Sequence, residues 1–311
     1  MSLEVLKPGL CTTFQDAGRA GYQHLGVPVN GPMDALAHQV ANVLVGNPLG
    51  MGVLEITLQG PTLCFHAAAL IAITGGDLGA LLNGEALPLN QAVRVLPGTV
   101  LSFGPRKAGA RAYMAVAGGF VLKPVLGSLS TYRRGAYSGV LGRALVAGDR
   151  LGFASSFRTV AQRGLPAALQ RAIEYEAQLP IRLIPGPEWA AFTQEAQQGL
   201  CSRSYRIGND SERMGYRLHG EALPLKRPLE LLSEGVSFGT VQVPPSAQPI
   251  VLMADRQTTG GYPRIGAVIS VDLPLLAQRL PGDLVRFELT TLEHAQRLAL
   301  KRARLLARFG L

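Results

Sequence analysis

At 311 residues the chain exceeds the roughly 100–200 residues of one typical domain, so two domains are expected. Hydrophobic residues make up 47% and charged residues 16%, a balance that excludes an intrinsically disordered chain. The net charge of +9 is spread over both halves without a lysine-rich tail or a zinc-finger spacing, so nucleic acid is not an expected partner. No apolar leader occurs, and no apolar run approaches the ~20 residues of a membrane span, which predicts a soluble cytoplasmic protein without a membrane partner.

Short strands dominate the predicted secondary structure. They are rich in apolar and β-branched residues, and Gly, Pro or Asn turns separate them. The clearest are predicted at residues 53–58, 69–74, 110–118, 249–254, 267–272 and 283–289. The sequence therefore predicts a mostly β protein with a few helices.

The clearest predicted helix follows "VNGPMD". Its apolar face is formed by residues at i, i+4, i+7 and i+8, namely Leu36, Val40, Val43 and Leu44. Pro32 suits a first helical turn, and Gly46 suits the left-handed residue that ends a helix. These signals predict a helix that packs its apolar face against a sheet.

Two further helices are predicted. The first, "PEWAAFTQEAQQG" at 187–199, ends at a glycine. The second is a C-terminal helix over 291–311 with an apolar stripe that reaches Phe309. Its other side is basic and carries Arg297, Lys301, Arg304 and Arg308. A docked helix with a solvated basic face is favoured over a nucleic-acid or membrane surface.

One pattern, D-x-x-R-x-G-Y, occurs twice, beginning at Asp16 and at Asp210. Two further matches keep the same order along the chain: T-G-G at 74–76 and 259–261, and L-P-G at 96–98 and 280–282. Ordered internal matches indicate a duplicated domain. The predicted organisation is an N-terminal β domain at 1–155, a linker at 156–180, a C-terminal β domain at 181–290 and the helix at 291–311.

Several common sites are missing from the sequence. The three cysteines are widely spaced without a C-x-x-C pair and the five histidines are scattered, so no metal site is predicted. No G-x-x-x-x-G-K-[ST] loop, strand-linked G-x-G-x-x-G, H-E-x-x-H or G-x-S-x-G pattern occurs. If the chain uses ATP, it has no standard means of holding the nucleotide alone.

Polar loops bracketed by glycines are the remaining candidate sites. The first, "TTFQDAGRAGY", carries Gln15, Asp16 and Arg19 and leads to a helix. Such a loop can present backbone N–H groups and a guanidinium to a carboxylate or an amide. The structural alternative is a salt bridge between the Asp and the Arg of each D-x-x-R motif, which would brace two matched turns.

A second loop, within "GSLSTYRRGAYSGVLGRALVAGDRL", brings hydroxyl and guanidinium groups together. Thr131, Arg133 and Arg134 follow Ser128 and Ser130 between glycines. This composition suits the binding of anionic or carbonyl groups. A solvated loop is the alternative, and composition alone favours it.

A third loop, "MADRQTTGGYPRIG", follows a predicted apolar strand. Its five consecutive polar residues are Asp255, Arg256, Gln257, Thr258 and Thr259. A strand exit can hold polar groups rigidly, and a plain hairpin does not need such a run, so a site is favoured here. A carboxylate beside guanidinium and amide groups could orient an amide substrate or act as a general base.

These loops, with "SERMGYRL" and "SEGVSFGTVQVPPSAQPIVLMADRQTTGGYPRIG", resemble the KipA family, the C subunits of 5-oxoprolinase, also called the biotin-dependent carboxyltransferase family. The resemblance extends from about residue 4 to residue 290. It implies two related cyclophilin-like β-barrel domains, similar to part of the carboxyltransferase region of urea carboxylase. It also implies an ATP-dependent 5-oxoprolinase that opens the lactam of 5-oxoproline to L-glutamate. The implied partners are a KipI-like protein (the B subunit of that enzyme) and a LamB/YcsF-like protein (its A subunit).

The site expected for this family member has two parts. Asp255 and Arg256 are the predicted catalytic residues. Asp255 is expected to polarise the substrate, and Arg133, Arg213 and Arg256 are expected to clamp a carboxylate or phosphate. The predicted substrate-binding residues are Gln15, Asp16, Arg19, Thr131, Arg133, Arg213, Gln242, Gln257, Thr258, Thr259, Gly260 and Tyr262. The expected ligand is a small amide or lactam.

Two other functions compete with the 5-oxoprolinase. One is biotin-dependent carboxyl transfer to urea or another small amide. Since no A-M-K-M biotin-attachment sequence occurs, the biotin would be carried on another protein. The other is a non-catalytic antagonist that binds a KipI-like inhibitor.

Overall fold

Residues 1–140, 142–154, 165 and 179–308 are described in the computed structural model. Two compact units divide the chain: Met1–Arg19, Asn30–Tyr175 and Leu306–Leu311 form the first, and Ala20–Val29 and Glu176–Leu305 form the second. The predicted linker at 156–180 lies almost wholly outside the described residues and stays a prediction. The segment Ala20–Val29 groups with the second unit, although the predicted N-terminal domain contains it.

Antiparallel strands build the first unit. Its described strands are β1 (Ser2–Lys7), β2 (Cys11–Gln15), β3 (Val53–Thr57), β4 (Thr62–Phe65), β5 (Ala69–Asp77), β6 (Ala80–Leu82), β7 (Glu85–Ala86), β8 (Ala92–Val95), β9 (Val100–Phe103), β10 (Ala108–Val116) and β11 (Arg150–Gly152). They form a six-stranded sheet in the order β11-β1-β4-β9-β6-β7 and a five-stranded sheet in the order β2-β3-β10-β5-β8.

The two sheets of the first unit share one apolar core. Alternate residues of the strands point inward, as the period of two along a strand requires. Phe14 and Phe120 meet edge to face with their ring centroids 5.0 Å apart, and Phe65 and Phe153 meet at 6.4 Å. Each of these buried rings contributes roughly 1.5–3 kcal/mol through removal of apolar surface from water.

The predicted helix of the first unit is confirmed as α1 (Ala35–Leu44). Its start differs from the prediction, because Asp34 caps it by accepting a hydrogen bond from the Ala37 N–H at 2.9 Å, which places Pro32 before the first turn. Gly46 adopts a left-handed φ of 76° just after the helix, as predicted. The buried face of α1 packs on the five-stranded sheet.

A closed barrel forms the second unit. Its described strands are β12 (Ile181–Pro185), β13 (Ser204–Ile207), β14 (Gly215–His219), β15 (Glu234–Gly235), β16 (Thr240–Gln242), β17 (Ile250–Leu252), β18 (Thr259–Gly260), β19 (Arg264–Val268) and β20 (Leu284–Leu289). Seven of them close in the order β12-β19-β16-β17-β14-β13-β20, through a parallel pairing of β12 with β20. The strands β15 and β18 pair only with each other in the described sheets.

The remaining helices are α2 (Gln194–Ser202), α3 (Leu273–Ala277) and α4 (Leu292–Ala307). The prediction of 187–199 was wrong at both ends: Thr193 caps α2 by accepting from the Ala196 N–H, and the helix continues past Gly199. The strand predicted at 267–272 was shifted, because the chain turns into α3 after Val268.

The C-terminal helix α4 is amphipathic, as predicted. Among its residues Leu306 is buried, and Leu298 and Leu305 are half-buried. Arg297, Lys301, Arg304 and Arg308 are exposed. Phe309 lies outside the described residues. No helix in the described part of the chain is long and apolar enough to cross a bilayer.

The mostly β fold with few helices is confirmed. The L-P-G matches occupy equivalent places, since Gly98 precedes β9 with a φ of 84° and Gly282 precedes β20 with a φ of 91°. The D-x-x-R-x-G-Y matches do not: Tyr22 leads into a short 3-10 helix, whereas Tyr216 lies within β14. The duplication is therefore visible at the L-P-G motif and not at the D-x-x-R-x-G-Y motif.

Candidate functional site

The second unit contains a cavity of about 760 Å³ beside the barrel. Its walls come from the end of β12, the segment that includes β15, the loop after β17, and β19. The polar residues that line it are Gln23, Ser237, Thr240, Arg256, Gln257, Thr258 and Arg264. The apolar residues include Val29, Ile184, Pro185, Pro187, Val236 and Ala267. Apolar walls with a few convergent polar groups are typical of a small-molecule site.

Arg256 is the cationic group of this cavity that has no ion pair within the described part of the chain. Its Nε donates to the Val236 carbonyl at 3.3 Å, and its guanidinium carbon lies 5.8 Å from the centre of the Phe238 ring. Burial lowers the pKa of Arg256 from its ordinary value, although the neighbouring Asp255 carboxylate opposes this shift. A desolvated guanidinium held by its Nε is a strong anchor for an anion.

The second arginine of the cavity, Arg264, is already neutralised. Its Nε and Nη2 donate to the two oxygens of Glu188 at 2.9 and 2.8 Å, and Nη2 also donates to Glu234 at 2.8 Å. Hydrogen bonding to Glu188 is the main reason why the pKa of Arg264 is raised. This residue therefore fixes the wall of the cavity and ties β15 to β19. It was not predicted from the sequence, although it lies within the third polar loop.

Asp255 lies next to Arg256 along the chain, but its carboxylate is bound by Arg213. The Nε and Nη2 of Arg213 donate to the two Asp255 oxygens, both at 2.9 Å, and the pair is largely buried. Asp210, the predicted partner of Arg213, instead pairs with Arg217 at 3.1 Å on the surface. The predicted turn brace between Asp210 and Arg213 was therefore wrong, because the register of β14 against β17 brings Arg213 to Asp255.

The other residues of the third loop have separate positions. Gln257 and Thr258 line the cavity, and Gln257 donates to the buried Gln242 side chain at 3.4 Å. Thr259 and Gly260 form β18, which pairs with β15. The backbone of Gly260 runs so close to Gln242 that a Cβ there would lie 2.5 Å from the Gln242 amide nitrogen.

Tyr262 points to a different part of the second unit. It is 48% exposed and lines a separate cavity of about 850 Å³. The residues around that cavity are mainly leucines and prolines, among them Leu225, Leu229 and Pro244. Tyr262 was predicted to bind the substrate together with Gln257 and Thr258, but it lines a different cavity from theirs.

In the first unit, Asp16 is the centre of a buried polar cluster. Its Oδ1 accepts hydrogen bonds from the hydroxyls of Ser128 and Ser130, both at 2.6 Å, and from the Gly18 N–H at 2.9 Å, and its Oδ2 accepts from the Leu129 N–H at 2.5 Å. Burial alone raises the pKa of Asp16, but these hydrogen bonds outweigh it and lower the pKa below its ordinary value. The predicted salt bridge within residues 16–19 was wrong, since the carboxylate binds this distant loop.

Arg19, Gln15 and Thr131 complete the cluster. The Arg19 guanidinium donates to the Asn30 side chain and the Ser130 carbonyl. The Gln15 amide donates to the Thr131 carbonyl at 3.4 Å, and the Thr131 hydroxyl accepts from the Phe14 N–H at 3.2 Å. All three predicted binding residues are at most 1% exposed, so they hold the second polar loop in place from the protein interior. Arg133, by contrast, is exposed at the tip of the loop.

Acid is expected to destabilise the protein through His38, a buried residue of α1. Burial lowers the pKa of His38 to about 4, although the negative charge of Asp16 opposes this shift. The unfolded chain therefore gains a proton near pH 6.5 while the folded chain does not, so stability is lost as the pH falls from about 6.5 to about 4. The loss approaches roughly 3 kcal/mol, since each pKa unit is worth about 1.36 kcal/mol.

Urea unfolding at several pH values measures this loss. The His38→Leu variant should show a shallower decline between pH 6.5 and 4 than the unmodified protein. An equally steep decline in both proteins would assign the effect to other groups.

Comparison with known proteins adds three findings. Residues 25–289 match the family described as "Carboxyltransferase domain, subdomain A and B". Two relatives are named as the C subunit of 5-oxoprolinase: that of Haemophilus influenzae is 38% identical over 96% of this chain and 94% of its own, and that of Escherichia coli is 38% identical over 94% and 93%. The crystal structure of the Kluyveromyces lactis urea carboxylase superposes with a TM-score of 0.92 at 29% identity, covering 99% of this chain and 29% of that one.

Proposed function

Because this chain belongs to the carboxyltransferase domain family, subdomain A and B, we propose that it is the C subunit of an ATP-dependent 5-oxoprolinase. The enzyme would open 5-oxoproline to L-glutamate together with a KipI-like and a LamB/YcsF-like subunit. Support comes from the two relatives named as the C subunit of 5-oxoprolinase, which this chain matches over nearly their whole length.

The observation that carries the proposal is the set of groups in the 760 Å³ cavity. 5-Oxoproline has a carboxylate, a lactam amide and an apolar ring edge, and each has a counterpart there. The guanidinium of Arg256, which has no ion pair in the described residues, would bind the carboxylate. The Gln257 amide and the Thr258 hydroxyl would hydrogen-bond the lactam, and Ile184 and Pro185 would contact the ring.

Asp255 acts in this proposal as a positioning residue. Both oxygens of its carboxylate accept hydrogen bonds from Arg213, so the side chain holds the neighbouring strand end in place. The Asp255 N–H also donates to the Arg213 carbonyl at 2.8 Å, and the Met253 N–H donates to the Met214 carbonyl at 3.0 Å. These bonds fix the exit of β17 and thereby the backbone that carries Arg256.

The donors of the cavity do not fit a triphosphate. Of its two guanidinium groups, Arg264 is held by Glu188 and Glu234, which leaves Arg256 for a chain of phosphates that carries several charges. We therefore place ATP on the partner subunits. In this scheme the chain binds and orients the lactam for attack by water.

The test is a coupled assay of glutamate release from 5-oxoproline with the three kinds of subunit and ATP. Activity should require all three subunits and the nucleotide. If omission of this chain leaves the rate unchanged although it binds the KipI-like subunit, the chain is an antagonist and the proposal fails.

Carboxyl transfer is a second candidate, favoured by the structural similarity to the urea carboxylase of Kluyveromyces lactis. Here the same cavity would take urea, and biotin would be carried on another protein. The measurement is the decay of free carboxybiotin with urea, in the presence and absence of the chain. An unchanged decay rate rejects this candidate, and a rate increase that requires urea supports it over the 5-oxoprolinase.

A further inference from the structure

Two glutamine side chains line the 760 Å³ cavity from different segments of the second unit. Gln23 begins the short 3-10 helix Gln23–Leu25, and Gln257 lies in the loop after β17. Both side chains are exposed. A side-chain amide has an acceptor oxygen and a donor nitrogen, so what it can offer a ligand depends on which of the two the protein already uses.

Gln23 has its oxygen turned towards the protein. Its Oε1 accepts a hydrogen bond from the Gly21 N–H at 2.8 Å. The turn that carries it is fixed, because the Leu25 N–H donates to the Tyr22 carbonyl at 3.0 Å and the Gly26 N–H donates to the Gln23 carbonyl at 2.9 Å. If the amide turned over, its NH₂ group would face the Gly21 N–H, and two donors would meet. Nε2 makes no hydrogen bond in the described part of the chain, so Gln23 offers the cavity a donor.

Gln257 has the opposite orientation. Its Nε2 donates to the Oε1 of Gln242 at 3.4 Å. Gln242 is itself fixed, since it is buried and its Nε2 donates to the Tyr262 carbonyl, which can only accept, at 3.4 Å. If the Gln257 amide turned over, its oxygen would face the Gln242 oxygen. Among the residues that the structure describes, none donates to the Gln257 Oε1, so this side chain offers the cavity an acceptor.

A donor and an acceptor in one cavity match the two polar atoms of a lactam. The ring holds the amide in its cis form, so the N–H and the carbonyl oxygen lie on the same edge of the molecule. We propose that Gln23 and Gln257 are specificity-determining residues: the Gln257 Oε1 accepts from the lactam N–H, and the Gln23 Nε2 donates to the lactam oxygen. Gln242 is a positioning residue, because it fixes which atom of Gln257 faces the ligand. The identity of the ligand as a lactam rests on the proposed function.

The experiment measures binding to the chain alone, without ATP, by calorimetry. Three ligands share the carboxylate assigned to Arg256: 5-oxoproline, the lactone in which a ring oxygen replaces the N–H, and N-methyl-5-oxoproline. The lactone lacks the donor and sets a second acceptor against the Gln257 oxygen. The unmodified chain should therefore bind 5-oxoproline about tenfold more tightly than the lactone, and at least as much more tightly than the N-methyl derivative.

Three variants separate the assigned contacts. Gln257→Leu should bring the affinity ratio of 5-oxoproline to lactone close to one, since the discriminating acceptor is lost. Gln23→Leu should weaken both ligands by about three- to tenfold and leave their ratio unchanged, because both have the carbonyl. Gln242→Leu should lower the ratio by improving lactone binding, because Gln257 can then turn its amide over. A merely structural role of Gln242 would not improve the binding of any ligand.

The matched control is Gln198→Leu, at an exposed glutamine of α2 outside the cavity, which should bind all three ligands as the unmodified chain does. Thermal unfolding confirms that each variant is folded. Equal affinity of the unmodified chain for 5-oxoproline and the lactone, full discrimination by Gln257→Leu, or no binding of 5-oxoproline overturns the proposal.

Glutamate release by the assembled subunits is measured separately. If this reaction fails while the chain still discriminates between the lactam and the lactone, the proposed function is wrong and the assignment of the two glutamines stands. If glutamate is released but the chain does not discriminate, the assignment alone is wrong.

Discussion

Replacement of Asp255 by alanine is expected to destabilise the protein by about 3–5 kcal/mol, because it leaves the Arg213 guanidinium largely buried without its counter-charge. The Arg213 and Asp255 side chains are 13% and 8% exposed, so water can replace little of the lost interaction. Urea unfolding followed by circular dichroism measures the free energy of unfolding.

Two comparisons make this result specific. Asp210→Ala removes the carboxylate of an exposed pair with Arg217 and should change stability by less than about 1 kcal/mol. The double variant Arg213→Met, Asp255→Leu removes both charges and should recover much of the stability that Asp255→Ala loses. If Asp255→Ala unfolds like the unmodified protein but abolishes glutamate release, Asp255 is a catalytic residue and its positioning role is wrong.

Replacement of Arg256 by glutamine should lower kcat/KM for 5-oxoproline by roughly 10- to 100-fold, the equivalent of one lost charge-assisted hydrogen-bonded contact of about 1.5–3 kcal/mol. Stability should change little, because Arg256 has no ion pair in the described residues and donates one hydrogen bond, to Val236. The assay is glutamate release by the assembled subunits, with Arg206→Gln as a control at an exposed arginine of the same unit.

The substrate 2-pyrrolidone, which lacks the carboxylate, tests the assigned contact directly. The unmodified enzyme should use it poorly, and Arg256→Gln should impair it no further, since the contact is already missing. If Arg256→Gln lowers activity on both substrates equally, Arg256 does not bind the carboxylate.

Local patterns in the sequence predicted the elements of the fold well. The face of α1, the left-handed Gly46 and the L-P-G turn before each of two strands depend on residues within one or two turns of the chain. The errors lie at the ends of the elements, because a capping residue determines where a helix begins. The prediction began this helix at 187, with the proline and glutamate of "PEWAAFTQEAQQG". In the structure Thr193 is the capping residue, so α2 begins at Gln194.

Partners of charged residues were predicted poorly because they are distant in sequence. The D-x-x-R spacing suggested a local salt bridge, but Asp16 binds residues 112 to 114 positions later and Arg213 binds a residue 42 positions later. Strand register fixes these pairs, and a motif contains no information about register. For the same reason Arg264 and Gln23 were not predicted in the cavity, although both lie in or beside the predicted polar loops.

Because the chain is synthesised from its N-terminus, the parallel pairing that closes the barrel can form only late in synthesis. Ile181 opens β12 and pairs with Phe287 in β20, so the ring cannot close until about 106 more residues have been made. At the roughly 5–20 residues per second of translation, β12 would wait with an unpaired edge for about 5–20 s. Ala20–Val29 waits longer still, because it is made with the first unit and belongs to the second. The nascent chain thus has a defined interval in which a chaperone that covers strand edges would raise its yield.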